Sequence, residues 1–391
     1  MNSKTRMKIA MSHGSPDRIP VMCQLSIGHY LLNTGIAPSR LWFSSEGFAE
    51  ALIMLQRRYH FDGILINLPG RDPGWIKNVT RIETRADGSE IVFWNNGDIS
   101  NCPKDDLVTH HPQGGRRLPT LEEINPDHLF YDDLHSEGGL KYPFYYGIIP
   151  NLNESAYFPD YITRTLELVM AEVGQTISIH GEVFSPFTQL MELFGYNSAL
   201  INLVDDPGKC KSILEAYTAG TIGYGKILAK AGADAVVISS AFAGRGFISP
   251  AFYKEFVQPY EKRIVTALKE AGVFVYIHTC GSIGDRLGLL VETGVDGIEC
   301  LDPPPIGDVD LAEAKEQIGP RAFIKGNIDP VNTLLTQNTV AVRQDVLKRI
   351  RIGAPGGGYI LSSACSVAPR VPPENILILA EIAAEKADYS Y

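Results

Sequence analysis

The chain has 391 residues, 45% hydrophobic and 20% charged, enough to bury a large core and too varied for a disordered or low-complexity protein. With 45 Asp plus Glu against 35 Lys plus Arg, its net charge of −10 argues against nucleic acid or an anionic membrane as a partner. No run approaches the roughly 20 apolar residues of a membrane span, and nothing behind Met1 reads as a signal peptide, so a cytoplasmic enzyme is expected.

In chain order, residues 4–12 read as a short helix, and Asp17-Arg18-Ile19-Pro20-Val21 leads into a first strand at about 19–24. A helix over 46–59 and a strand from Phe61 to Asn67 complete a β-α-β start. The period then changes. Val79 to Thr84 and Glu90 to Trp94 flank Asp87-Gly88, the pattern of a hairpin. With the polar, Pro-rich stretch 101–140 and a further strand at Phe144 to Ile149, this forms an insertion at about 70–150. After 155 the β/α rhythm resumes. Strands at about 176–182, 234–239, 273–278, 296–300, 322–326 and 358–363 alternate with helical patterns, notably 207–231, 250–271, 281–293 and 337–352. Eight strands apolar enough to be covered on both faces predict an α/β fold, a (β/α)8 TIM barrel, formed by a single domain over 1–391.

One stretch carries the chemistry. Val273-Phe274-Val275-Tyr276-Ile277 is a buried strand that delivers His278 and Cys280, two positions apart and so on one face. Zinc takes imidazole nitrogen and thiolate sulfur, so this pair supplies half of a tetrahedral shell. Cys365 follows the strand-like run Gly358 to Ser363 and is the expected third ligand, released at the same rim. Taken alone, His-x-Cys is a short motif, and a buried His beside a free Cys is its plain alternative. In a barrel of this kind the chemistry gathers at the C-terminal strand ends. Glu299 has that address and is a candidate fourth ligand or substrate-binding acid, with Glu182, ending the 176–182 strand, as its rival. Asn327, in Gly326-Asn327-Ile328-Asp329-Pro330, leaves a strand at the same rim and either binds a ligand or, with Asp329, caps the next helix. The six cysteines show no CxxC spacing, so neither a disulfide scaffold nor a zinc ribbon is indicated.

Other motifs carry less. Asp133-Leu134-His135-Ser136-Glu137-Gly138 fits the D-x-H-x-x-G pattern that supplies cobalt with its lower histidine, but it follows a polar segment instead of an apolar strand and reads as a turn. Gly356-Gly357-Gly358 precedes a strand where a phosphate loop would open a helix, so it too reads as a turn. His60, His110 and His111 lack metal-ligand spacing.

Asp17-Arg18-Ile19-Pro20-Val21, Phe247-Ile248-Ser249-Pro250, Phe256-Val257-Gln258-Pro259-Tyr260, His278-Thr279-Cys280-Gly281, Gly326-Asn327-Ile328-Asp329-Pro330 and Pro373-Glu374-Asn375 together resemble the uroporphyrinogen decarboxylase superfamily. Outside roughly 70–150 the resemblance covers most of the chain. His-x-Cys with a late Cys is similar to the zinc-dependent, corrinoid-linked branch, which includes methylcobalamin:coenzyme M methyltransferases and O-demethylase methyltransferases. The resemblance implies His278, Cys280 and Cys365 as zinc ligands, and a methyl group moved between a small donor or acceptor and cobalamin carried by a partner corrinoid protein. Trp75, Trp94, Phe130, Tyr131 and Tyr145 in the insertion would suit a methoxylated aromatic donor, or simply pack the insertion. The decarboxylase itself fits less well. No Arg or Lys lies between Arg18 and Arg40 to line a porphyrin site, and Ser239-Ser240 stands where that enzyme carries an acid.

Overall fold

The computed structural model describes residues 1–115, 117–131 and 157–385. Seven parallel strands pair in the order β1 (Gly63–Ile66), β6 (Ser178–Phe184), β7 (Ala235–Ser239), β8 (Phe274–Thr279), β9 (Gly297–Cys300), β10 (Phe323–Ile328) and β11 (Tyr359–Ser363). Sequence order and spatial order coincide. Nearly every strand residue is buried, because helices cover the outer face while the sheet curls around its inner one. The curl is visible in the packing. Leu65 of β1 and Ile360 of β11, on strands at opposite ends of the order, share one apolar cluster with Val237, Tyr276 and Phe323 and with Met7, Ala10 and Met11 of helix α1 (Ser3–Met11). That helix seals the inner face from below. Beside the Tyr276 hydroxyl of that cluster lies buried His180, and Lys325 and Glu299 are buried with it, toward the rim.

The expected first strand at 19–24 is not a regular strand. Val21 and Leu25 make isolated parallel bridges to Leu361 and Val367, and the Val21 carbonyl accepts from Asp62 N at 2.7 Å. Pro20 still joins the first bridge, its carbonyl accepting from Leu361 N at 2.9 Å, and the ladder lapses between the two bridges, where Ser363 N donates to the Cys23 sulfur at 3.4 Å. The remaining seven expected strands form within a few residues of their predicted limits. Helix limits follow local chemistry as well. Ser44 caps Ser45–Tyr59 by accepting from Gly47 N, and Asp206 with Pro207 opens Pro207–Lys230. The helix expected over 250–271 is two, Pro250–Phe256 and Gln258–Glu270, because Pro259 cannot continue the first and starts the second. The one expected over 281–293 shrinks to a 3-10 turn, Gly284–Arg286, and Leu287–Val291, in a stretch diluted by Gly281, Gly284 and Gly288. At the bottom, the glycine run 356–358 is a turn: its φ angles of 76°, 73° and 65° suit glycine, and a Cβ on Gly357 would lie 2.6 Å from the His13 carbonyl.

The predicted hairpin is half of a larger element. β2 (Val79–Thr84), β3 (Glu90–Trp94), β4 (Ile99–Cys102) and β5 (Thr109–His111) form a four-stranded antiparallel sheet. The extra strand at 144–149 and the Asp133 to Gly138 motif lie outside the described residues. No helix among the described residues is long and apolar enough to cross a membrane.

Candidate metal centre

β8 and β9 are in register with His278 opposite Glu299 and Thr279 opposite Cys300. Their C-terminal ends therefore rise together, and β11 brings Cys365 to the same place. The His278 Nε2 to Cys280 Sγ distance is 3.2 Å, Cys280 Sγ to Cys365 Sγ is 3.7 Å, and Cys365 Sγ to His278 Nε2 is 3.9 Å. The three residues expected as ligands are thus side by side. A fourth, Cys300, joins them: donor atoms of His278, Cys280, Cys300 and Cys365 all lie within 4.8 Å of one another.

Sequence reasoning passed over Cys300. Alternation along β9 gives Glu299 the inner face and so assigns Cys300 to the outer one. The backbone overrides this, since Cys300 has φ 84° and Leu301 φ 54°, left-handed values at two non-glycine residues that bend the chain at the strand end. The available signal was a further cysteine closing a strand at the same rim.

Glu299 is not part of the donor cluster. Its Oε1 is the partner of Lys325 Nζ, both side chains being almost fully buried, and its Oε2 lies 3.9 Å from His278 Nδ1. Burial opposes ionisation of Glu299, yet Lys325 and His278 together hold its carboxyl down at about 2. His278 Nδ1, Glu299 Oε2 and Asp302 Oδ1 are buried without a hydrogen-bond partner among the described residues. The Asp302 carboxylate works on its other oxygen, accepting from Gly281 N at 2.7 Å and lying 3.3 Å from Cys300 Sγ. Burial also disfavours a His278 cation, but the Cys280 sulfur beside it drives the group well above the ordinary imidazole value, while contacts from Cys280 and Cys300 carry the Cys365 thiol well below its own. These are donors sharing protons where a cation would relieve them. One imidazole and three thiols, buried or half-buried, fit zinc.

The other two expected residues lie apart from the cluster. Glu182, on β6, is engaged by Ser239 Oγ inside the sheet. Asn327 is fully buried; its Nδ2 donates to the Leu301 carbonyl at 2.8 Å and its Oδ1 accepts from Arg349 at 2.6 Å. It thereby clamps the bend that follows Cys300. Asp329 accepts from Val331 N and Asn332 N in a turn, while the next helix, Thr339–Gly353, is capped by Asn338 and not by Asn327 or Asp329. The ligand loop is held from its other side too. Arg245 N donates to the Ser282 carbonyl, buried Arg286 donates to the Ala243 and Ile248 carbonyls, and a Cβ on Gly244 would lie 2.6 Å from the Cys280 carbonyl.

Of the aromatics expected to roof a pocket, Trp75 and Trp94 pack on Phe43 and on each other, and Phe130 and Tyr131 pack with Tyr157, Phe158 and Tyr224. Tyr131 also reaches β6, its hydroxyl accepting from Phe184 N at 3.2 Å. Tyr145 lies outside the described residues.

The uroporphyrinogen decarboxylase (URO-D) family profile matches residues 150–386, more than half of the chain. This protein is a member of the URO-D family. The match contains the whole donor cluster and every strand of the curled sheet except β1. Among curated relatives, the methylcobamide:CoM methyltransferase MtbA of Methanosarcina acetivorans is 27% identical over 222 residues, 57% of this chain and 62% of the relative. MtaA of Methanosarcina barkeri, another methylcobamide:CoM methyltransferase, is 26% identical over 218 residues, 56% of this chain and 61% of the relative. A uroporphyrinogen decarboxylase of Legionella pneumophila is 28% identical over 243 residues, 60% of this chain and 65% of the relative. The alignments thus span about three fifths of the length of these relatives. A solved structure described as a methyltransferase from Methanosarcina mazei superposes over 98% of this chain and 99% of that one, with TM-score 0.70 and 19% identity, so the two share a fold.

Proposed function

We propose that this URO-D family member is a zinc-dependent methyltransferase that moves a methyl group between a small molecule and the cobalt of a cobalamin carried by a partner corrinoid protein. The observation that carries the reading is the meeting of His278, Cys280 and Cys365 at the strand-end rim. His278 and the two thiolates would hold the ion. When bound, zinc supplies an electrophilic position at which an oxygen or a thiol is activated. The chain's own residues prepare that position. Lys325 keeps Glu299 ionised, Glu299 faces the Nδ1 side of His278 and favours the proton there, and Nε2 is left for the ion. Glu182 and Asn327 remain candidates for contact with substrate through small movements at the rim.

Two directions of transfer are open to such a site. Transfer from methylcobamide to a thiol is supported by what the Methanosarcina relatives are called and by the engagement of Trp75, Trp94 and Phe130 in packing against neighbouring rings. Transfer from a methoxylated aromatic, with O-demethylation, is supported by Tyr131, which brings a ring from the insertion to the end of β6. We read residues 19–25 as the eighth, irregular member of a closed (β/α)8 barrel, and the whole chain as one cytoplasmic domain with an insertion. A matched pair of assays tests the function: demethylation of methylcobalamin by thiols, and methylation of cob(I)alamin by a panel of methoxylated compounds, both followed by the corrinoid spectrum. The active direction is expected to depend on zinc and on Cys280. Full activity in zinc-free protein sinks the proposal.

A further inference from the structure

Resting on the reading of the rim cluster as a zinc site, we infer that Cys300 is a fourth protein ligand, so that the site is one imidazole and three thiolates while Glu299 stays off the ion. Consecutive residues of β9 then serve opposite sides of His278. Glu299 stands at Nδ1 with Lys325 behind it, and Cys300 stands with the donors on the metal side.

The placement of Cys300 is specific. Its Sγ is within 4.8 Å of the His278, Cys280 and Cys365 donor atoms, and it gets there only because the backbone enters the left-handed region at Cys300 and Leu301, against the alternation of the strand. Two groups hold that bend: Asn327 donates to the Leu301 carbonyl, and Asp302 ties the Cys300 region to the Gly281 amide. Cys300 is fully buried, whereas Cys280 and Cys365 are partly exposed. It therefore binds from beneath, and the solvent side of the site is flanked by the other two sulfurs. A catalytic zinc site ordinarily has three protein ligands and one open position. Here the four donors of the protein would hold the ion by themselves, with Cys280 and Cys365 on its more exposed side.

The test counts sulfurs in the full chain. X-ray absorption of the zinc protein should fit three sulfurs and one nitrogen, and Cys300→Ser should fit two sulfurs with zinc still near one per chain. Cobalt(II) substituted for zinc should show sulfur-to-metal charge-transfer absorption that falls by about one third in Cys300→Ser, in proportion to the thiolates lost. Competition with a chelator should find zinc bound more weakly in that variant, by at least the roughly tenfold that loss of a supporting partner costs. Two sulfurs in the unmodified protein, or an unchanged count in Cys300→Ser, overturns the assignment of Cys300 and leaves the three-ligand reading standing. Failure of the unmodified chain to bind either metal overturns both. If Cys300→Ser does not fold, the sulfur count of the unmodified protein decides alone.

Discussion

The two ends of the curled sheet both bury charged side chains and use them in opposite ways. Below the strands, Asp62 is fully buried and wholly satisfied: it accepts from Arg6 at 2.7 Å, from Arg18 at 2.9 Å through both oxygens, and from Val21 N at 2.9 Å. Arg6 in turn grips Asp17 with two nitrogens. Above the strands, His278, Glu299 and Asp302 each keep a buried polar atom without a partner among the described residues, beside the sulfurs of Cys280 and Cys365, which lie 3.7 Å apart. A polar network that closes on itself rigidifies a fold, and buried polar atoms left open call for an explanation, which a cation among the donors at the rim would supply. The lower end thus reads as the stabilising face and the upper as the working face, as expected for strands that deliver chemistry at their C-terminal ends.

The comparison breaks most visibly if the upper end proves structural. Cys280→Ala or Cys365→Ala should lower zinc from about one per chain to a small fraction and abolish methyl transfer, while circular dichroism stays that of the parent. Full zinc in both variants removes the site.

Next in size is the reverse experiment at the lower end. Asp62→Ala strands the Arg18 guanidinium and the Val21 amide, leaves Arg6 with Asp17 alone, and should cost about 3–5 kcal/mol, read from the denaturant midpoint, with zinc per folded molecule unchanged. A loss below about 1 kcal/mol would mean that this network does not stabilise the fold.

A third outcome concerns substrate class: with no guanidinium between Arg18 and Arg40, uroporphyrinogen should yield no coproporphyrinogen, and measurable product would overturn the methyltransferase reading.

The smallest effect is a pH dependence. The Arg6 hydrogen bond lowers Asp17 from 3.8 to about 2. A carboxylate whose folded value is depressed stabilises above the unfolded value, and that contribution disappears as pH falls from about 4 through 2. Because Asp17 is partly exposed, solvent screening keeps the effect within about 1 kcal/mol. Asp17→Asn should flatten the melting temperature across that interval and leave it unchanged in shape near neutrality.

Much of this arrangement was legible in the residues, for reasons that also mark the limit. Parallel strands covered on both faces are continuous apolar runs, so seven of them announced themselves; the segment at 19–24 pairs through bridges at Val21 and Leu25, with Ser363 N on the Cys23 sulfur between them, and does not become a regular strand. In the insertion, Asp87-Gly88 marked one hairpin, but β4 and β5 carry Ser100, Asn101, His110 and His111 and have no apolar alternation to notice. Asn96-Gly97, with Gly97 at φ 90°, was the turn signal left unread. At the site, residues two apart on a strand could be paired from sequence, as His278 and Cys280 were. Cys300 could not, because its position depends on a left-handed bend at non-glycine residues, which composition does not encode.

Gly244 shows how far the specification of the site extends beyond its donors. The residue has no side chain, yet the empty space at its Cα is where the Cys280 carbonyl sits, 2.6 Å from a Cβ that is not there. A single methyl group at 244 must push on backbone, which has less freedom to yield than a side-chain tip, and the push is transmitted to a sulfur. Random mutagenesis screened for lost metal occupancy should therefore return Gly244 alongside the ligands themselves, with all four donors chemically intact. In that sense a hydrogen atom at position 244 gauges the ligand loop, and the loop's tolerance is set by the smallest side chain available.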